Sequence, residues 1–335
     1  MANYKIELIM PDSKLENARV MDIKIGQKRF LTPFKTLNSP EQNNLLELYE
    51  SVNEKLIIDS REKHTTLDKI PGKCKNNTVN LIIPKYEDTS ISDKSICDLE
   101  NRIHPHSDII IIPRWDGILK STSESNLSNS LWSMTKRYVE EIRRINGKLI
   151  MGNIPINRPQ SVIDSLIDRY FNEGITSFVL DYEACQAPNK AHIIRDLSKK
   201  LIDGGFKEES ILYQINMKKS HDYKGIKPAD NLISFMDGID ILGNFHMRGG
   251  GGKEGIAKIF NPEDWAYFDG PTYGRSGDEI NSYNSKLINA EAEIIKNEIQ
   301  ENGTVLPLAK KKKGAHEYTN IIPQTKLDFG GVGWN

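Results

Sequence analysis

The chain has 335 residues, with 45 lysines and arginines, 46 aspartates and glutamates, and three cysteines. A net charge of −1 excludes a general attraction to nucleic acid, so any such binding would need a local basic patch. Three widely spaced cysteines fit neither a disulfide framework nor a Cys-x-x-Cys metal site. No apolar run exceeds five residues, far short of the roughly 20 that cross a bilayer, and the N-terminus lacks signal-peptide features. We therefore expect a cytoplasmic protein without membrane contact.

The two ends of the chain differ from its middle. Near the start, VMDIKI and KRFLTPF flank Gly26-Gln27, which predicts an N-terminal β-hairpin in residues 1–35 that packs on the following domain. Residues 279–335 form a C-terminal extension, predicted as a long helix at 279–301 followed by a basic tail.

Between these ends, short β-branched runs alternate with longer helical patterns. The predicted strands lie at 56–58, 79–83, 108–112, 148–152, 176–180, 211–215, 238–242 and 265–268. The predicted helices lie at 93–102, 126–145, 161–173, 189–203 and 229–236. This alternation is typical of a parallel α/β sheet, and eight strands predict a (β/α)8 TIM barrel over residues 36–278.

Polar residues follow the predicted strands, where the active site of such a barrel is built. They are Asp59, Lys85, Arg114, Asp116, Asn153, Asp181, Glu183, Asn216, Asn244 and His246. Three carboxylates from different strands, Asp59, Asp116 and Asp181, suit acid–base or nucleophilic chemistry at a glycosidic carbon. An alternative is that Asp59 and Asp181 cap the following helices.

Amides and basic residues supply candidate binding groups. Asn153 and Asn216 can present donors and acceptors to a heterocycle. Arg248 precedes four glycines, of which Gly249 and Gly250 come first, and together they suit a phosphate contact or, alternatively, a lid without a ligand. The run that begins with Lys310 and Lys311 is either a further phosphate contact or a solvated tail. No histidine has the i, i+4 spacing of a metal motif, so we predict no metal and no cofactor.

Read in order, seven segments resemble the tRNA-guanine transglycosylase superfamily, (β/α)8 enzymes that exchange guanine in nucleic acid for a 7-deazaguanine. The segments are ARVMDIKIGQKRFLTPFKTL, LIIDSREKH, DIIIIPRWDG, KLIMGNIP, GITSFVLDYEA, SILYQINMKK and ADNLISFMDGIDIL, which span residues 18 to about 248. The resemblance implies that Asp59 is catalytic with Ser60 beside it. It also implies that Asp116 reads the guanine edge and that Asn153 replaces a base-reading Gln.

The sequence departs from that family at three places. The family's nucleophilic aspartate would fall on Gly243 or Asn244, neither of which attacks a sugar carbon. The Cys-x-Cys-x-x-Cys and His zinc site is absent from the sequence. A Gly-Gly base platform is replaced by Leu180-Asp181, which makes Asp181 a displaced nucleophile or general acid.

The leading interpretation is a transglycosylase-like enzyme that exchanges or removes guanine in nucleic acid, with DNA favoured over tRNA and a free 7-deazaguanine as second substrate. Catalysis would use Asp59 and Asp181. The predicted substrate contacts are Ser60, Asp116, Asn153, Glu183, Asn244 and His246, and the predicted phosphate contacts are Arg248, Gly249, Gly250, Lys310 and Lys311. The alternatives are a non-catalytic nucleic-acid-binding subunit and an unrelated barrel hydrolase of small glycosides. Whether the protein forms a homo- or hetero-oligomer is left open by the sequence.

Overall fold

The computed structural model describes residues 3–37, 45–58, 67–145, 147–219, 226–247, 256–316 and 318–319. The strands are β1 (Tyr4–Pro11), β2 (Arg19–Ile25), β3 (Lys28–Leu31), β4 (Phe34–Lys35), β5 (Leu45–Val52), β6 (Val79–Tyr86), β7 (Ile109–Ile111), β8 (Arg114–Trp115), β9 (Ile150–Pro155), β10 (Ser177–Asp181), β11 (Leu212–Ile215), β12 (Lys227–Pro228), β13 (Ile241–Leu242), β14 (Ile256–Asn261) and β15 (Ala266–Pro271). The helices are α1 (Glu54–Ile58), α2 (Ile70–Lys73), α3 (Asp93–Ile103), α4 (Asp116–Ser121), α5 (Glu124–Ile145), α6 (Gln160–Asn172), α7 (Ala191–Asp203), α8 (Asp230–Ile233), α9 (Gly277–Asn302) and α10 (Leu306–Ala309). Over these described ranges, none of the helices combines the length and the apolar character needed to span a membrane.

A parallel sheet flanked by helices forms the centre of the protein. Its strand order is β4-β13-β11-β10-β9-β7-β6-β5, and β8 pairs with β6 beside this path. Apart from β4 and the short β8, neighbours in the sheet are also successive central strands along the chain, as expected where helical crossovers join parallel strands. The predicted parallel α/β class is confirmed.

Among the described residues, the ladders of this sheet do not close into a barrel. β4 and β5 are the ends of the strand path. One isolated parallel bridge, between Leu37 and Leu46, joins the segment after β4 to β5, and the Leu37 N–H donates to the Leu45 carbonyl over 3.3 Å. The sheet class predicted from the sequence is therefore observed, whereas barrel closure is not part of the observed ladders.

Two of the predicted strands are wrong as members of the central sheet. Residues 56–58 lie in helix α1, because Asn53 accepts the Leu56 N–H through its side chain and starts a helix. A three-residue apolar run does not distinguish a strand from a helix. β5 takes the place expected for that strand. Residues 265–268 overlap β15, which belongs to a separate antiparallel sheet of order β12-β15-β14.

The N-terminal strands cover the amino ends of the central sheet. β2 and β3 pair antiparallel where the sequence predicts a hairpin, and β1 adds a third strand. Lys28 binds Asp108, just before β7, at 2.6 Å, and Arg19 binds Asp240, just before β13, at 2.7 Å. Because these contacts lie at strand beginnings, the carboxyl ends of the parallel strands are at the opposite side of the sheet.

Side chains of the central strands alternate between two apolar clusters. One cluster joins one face of the sheet to the N-terminal strands and contains Val79, Leu81 and Ile83. The other joins the opposite face to the helices and contains Ile82 and Tyr86. This period of two places every second residue of a strand on the same face of the sheet. It therefore decides which polar residues meet where the strands end.

Glu100 is a buried carboxyl between α3 and α5. The Tyr138 hydroxyl donates to its Oε1, while its Oε2 has no hydrogen-bond partner among the described residues. Burial raises the pKa of Glu100 from 4.5 to about 7, although Tyr138 and Lys148 act in the opposite direction. The folded state therefore favours the neutral carboxyl, and ionisation opposes folding.

We predict that Glu100→Gln makes the protein more stable than wild type above pH 7 and that this gain is smaller at pH 5. The wild type loses stability as the pH rises from about 4.5 to about 7, because only its unfolded state ionises freely there, and the full effect is on the order of 3 kcal/mol. Urea denaturation at pH 5 and pH 8 measures it. The exposed Glu140→Gln serves as control and should show no such pH dependence; the same response in both variants would contradict the prediction.

Candidate active site

Polar side chains converge at the carboxyl ends of the parallel strands. We call this set the mouth cluster; it comprises Lys35, Thr36, Glu47, Tyr49, Arg114, Asp116, Asn153, Asp181, Glu183, Tyr213, Asn216, Asn244 and His246. Several of these are almost fully buried, including Asp181 and Asn216, which are both 0% exposed. Since a buried polar group is costly unless it is paired, their partners define the site.

Glu47, on β5, is one of the two centres of the mouth cluster. Its Oε2 accepts hydrogen bonds from the Thr36 hydroxyl at 2.5 Å and from the Tyr213 hydroxyl, and the Asn244 backbone N–H donates to the same carboxylate. Burial would raise the pKa of Glu47, but the charge and hydrogen bond of His246 and the charge of Lys35 lower it to about 2. Glu47 is therefore ionised at neutral pH.

His246 is oriented by Glu47 and Tyr49. Its Nε2 lies within hydrogen-bond distance of Glu47 Oε1, and its ring stacks on Tyr49 with centroids 4.5 Å apart and planes 4° from parallel. Because ionised Glu47 only accepts, Nε2 carries the proton and Nδ1 is left to exchange one. A histidine held by a carboxylate and 14% exposed has the arrangement of a general acid–base.

Arg114, on β8, is the second centre. Its guanidinium binds Asp181, Asp116 at 3.1 Å and Glu183 at 3.1 Å, with only 4% of its side chain exposed. Burial would lower the pKa of Arg114, but the negative charges of Asp181 and Glu183 raise it above its ordinary value. Arg158 adds a second cation to Glu183 at 2.7 Å.

Asn216 connects the two centres. Its Nδ2 donates to Asp181 Oδ1 at 3.0 Å, and its Oδ1 accepts the His246 backbone N–H at 2.9 Å. Its backbone is left-handed, with φ +56°, and Glu183 is left-handed as well, at +47°. Such conformations are uncommon for residues other than glycine and concentrate at functional sites.

Two buried polar atoms of the mouth cluster have neither a hydrogen bond nor an ion pair within the described residues. They are the Tyr49 hydroxyl and Asn153 Nδ2. Asn153 is 7% exposed and lies on β9. Since most buried polar atoms in folded proteins are bonded, these two atoms mark places where a ligand or water can bind.

The structure brings five of the thirteen predicted site residues into one network. Asp181, Glu183, Asn244 and His246 belong to one hydrogen-bonded network, and Asp116 joins it through Arg114. Lys310 and Lys311 lie elsewhere, between Val305, whose N–H binds Asp12, and Lys312, which contacts Glu291. Asp59, Ser60, Arg248, Gly249 and Gly250 lie outside the described residues.

Sequence reasoning missed Lys35, Glu47, Tyr49 and Tyr213. Three of them lie on β4 or β5, strands that the search for apolar runs does not predict, and the sequence pattern marks Tyr213 only as a strand residue. A usable signal was present in LLELYESV, where Glu47 and Tyr49 alternate with Leu46 and Leu48, because strict alternation indicates a strand with one polar face.

Neither family models nor curated proteins supply an assignment. No protein-family model matches the chain, and a search of curated proteins finds no match. Within the described ranges, no group of three or more His, Cys, Asp or Glu side chains could hold a metal ion. The functional assignment therefore depends on the geometry of the mouth cluster and on the resemblance of sequence segments.

We predict that Arg114→Met lowers the free energy of unfolding by about 3–5 kcal/mol, because it leaves buried carboxylates without their shared cation. Arg158→Met, which removes a cation that is 28% exposed and binds only Glu183, should cost about 1 kcal/mol or less. Urea denaturation of both variants at pH 7 gives the comparison. Equal losses would contradict a central role for Arg114.

Proposed function

We propose that the protein is a (β/α)8-barrel enzyme that exchanges or removes a guanine base at an N-glycosidic bond in nucleic acid and inserts a free 7-deazaguanine. The observation that carries this proposal is the mouth cluster, which combines ionised carboxylates, a carboxylate-bound histidine and unpartnered polar atoms at the strand ends. DNA is preferred to tRNA in this proposal because the zinc motif of the family that the segments resemble is absent from the sequence.

Barrel closure is supported by contacts between the two ends of the strand path. Glu47 of β5 accepts hydrogen bonds from Thr36, after β4, and from Tyr213 of β11. β4 and β11 lie at the other end of the path, so its two ends must approach each other. The Leu37–Leu46 bridge lies at the same seam, and a cyclic strand order is that of a (β/α)8 barrel.

In this proposal, each group has a role set by its environment. Asn153 Nδ2 donates to the base edge, and Asp116 accepts from it, since neighbouring Lys120 and Arg114 overcome burial and lower the pKa of Asp116. His246 delivers a proton to the leaving base, as its Nδ1 is not used by Glu47. The negative charge of Asp181 stabilises positive charge that develops on the sugar when the glycosidic bond breaks.

A non-catalytic nucleic-acid-binding subunit is the second candidate, and the surroundings of Asp181 favour it. Asp181 accepts from Arg114, from Asn216 and from the Glu183 backbone N–H. A carboxylate held by three donors and 0% exposed is a poor nucleophile, and the family's nucleophile position is occupied by Gly243 or Asn244. This reading predicts tight binding without turnover.

We predict that the protein releases labelled guanine from DNA in the presence of a free 7-deazaguanine, and that His246→Gln and Asp181→Asn each lower the rate at least about 100-fold. The assay compares guanine-labelled DNA and tRNA. Asn153→Ala should mainly weaken substrate binding and raise KM, because it removes a contact to the base. Lys136→Gln, an exposed change on α5, is the control and should leave the rate unchanged.

The outcomes separate the two candidates. Release that His246→Gln and Asp181→Asn abolish supports base exchange, provided that both variants keep the wild-type circular dichroism spectrum. Binding of the labelled polymer without release supports the subunit. If the protein neither binds DNA or tRNA nor releases guanine from them, both candidate functions are overturned.

A further inference from the structure

A cleft of about 90 Å³ lies between the ends of the last central strands and the first turns of α9. Its walls include Lys35, Lys219, Asn231, Tyr267, Asn281 and Ser285. One water needs about 10–15 Å³ of such space, so the cleft has room for a group of several heavy atoms. Asn244 lines it too, which places the cleft directly beside the mouth cluster.

Among the described residues, Lys219 is a cation without a counter-charge in this cleft. Its Nζ lies 4.2 Å from the centroid of the Tyr267 ring, and no described carboxylate forms an ion pair with it. Burial and the positive charge of Lys258 lower the pKa of Lys219 to about 8, so it is mostly charged at pH 7. The nearby Lys227, in contrast, binds Asp269 at 2.5 Å.

Lys35 adds a second positive charge to the same wall. It is 4% exposed, and its Nζ donates to the carbonyls of Thr36 and Gly243 and to the Asn244 side chain. Those three bonds fix the ammonium in place and use its protons. Lys35 therefore contributes charge to the cleft, while direct contact with a ligand is left to Lys219.

Neutral donors surround this charge. The Asn231 Oδ1 is occupied by the Tyr267 hydroxyl at 3.2 Å, so its amide nitrogen is the end left for a ligand. The side chains of Asn281 and Ser285, on α9, make no hydrogen bond within the described residues. Amide and hydroxyl donors next to an unpaired ammonium suit an acceptor with negative charge.

We propose that this cleft binds the phosphate group of a phosphorylated ligand, with Lys219 as the contacting cation and Lys35 as a fixed charge behind it. A compact ammonium is a common phosphate ligand in proteins. This site goes beyond the proposed base exchange and does not depend on it, because only charge and cleft geometry are used.

Calorimetric titration with inorganic phosphate and with sulfate at pH 7 tests the site. Wild type is expected to bind both, and Lys219→Met to weaken binding at least tenfold. Lys219→Arg, which keeps the charge, should retain binding within a few-fold of wild type. Lys136→Met has the same change of side chain on an exposed helix face and should bind as wild type does.

The variants also report on the fold and on the competing basic run. Lys219→Met is expected to keep or raise the midpoint of urea denaturation, because it removes a half-buried cation with no counter-charge. Absence of phosphate binding in wild type, or unchanged binding in Lys219→Met, would overturn the proposal. A double variant, Lys310→Met with Lys311→Met, tests the C-terminal basic run. If this variant loses phosphate binding and Lys219→Met does not, the proposal is overturned and the anion is assigned to the C-terminal run.

Two further titrations distinguish the source of the phosphate. Ribose 5-phosphate represents a small phosphorylated ligand, and a short single-stranded oligonucleotide represents a nucleic-acid backbone. Either one supports the site if Lys219→Met weakens its binding at least tenfold. Preference for ribose 5-phosphate assigns a small molecule, and preference for the oligonucleotide assigns the backbone. If Lys219→Met changes the binding of neither ribose 5-phosphate nor the oligonucleotide, the proposal is overturned.

Discussion

Arg114 is the charge on which one half of the strand-end site depends. Three carboxylates, from the segment after β8 and from the end of β10 and the turn after it, meet its guanidinium where only 4% of that side chain is exposed. Removing each ion from water costs several kcal/mol, which only close pairing offsets. The left-handed backbone at Glu183 is one consequence, since the chain must turn sharply there to bring Asp181 and Glu183 to the same cation.

Glu47 sets the other half, and it also links parts of the sheet that are far apart along the strand order. Its carboxylate collects donors from β11 and from the segments after β4 and β13, whereas Glu47 itself lies on β5. Asn216 joins this centre to Asp181 and His246. The two centres therefore form one polar network, and substitutions within it should not have additive effects.

The sequence predicts the parallel sheet well because its strands are short β-branched runs with helical patterns between them, and the strand-end rule then selects Asp181, Asn244 and His246. The search for apolar runs fails for β4 and β5 for a physical reason, although the alternation in LLELYESV is a usable strand signal for β5. β4 has two residues, and β5 carries Glu47 and Tyr49 inside the sheet, where periodicity expects apolar side chains. Their burial is compensated by His246, Tyr213 and other partners distant in sequence. No local pattern can reveal such compensation.

The same compensation decides which group in the site is free to react. Asp181 accepts from three donors and is 0% exposed, so it acts as a fixed negative charge. Glu47 is likewise engaged, and burial among four donors leaves it no access to a ligand. His246 differs because Glu47 uses only its Nε2, and because part of its ring faces solvent. Any proton that moves between protein and ligand in this mouth is therefore most readily carried by His246, with Tyr49 and Glu47 holding the ring in position.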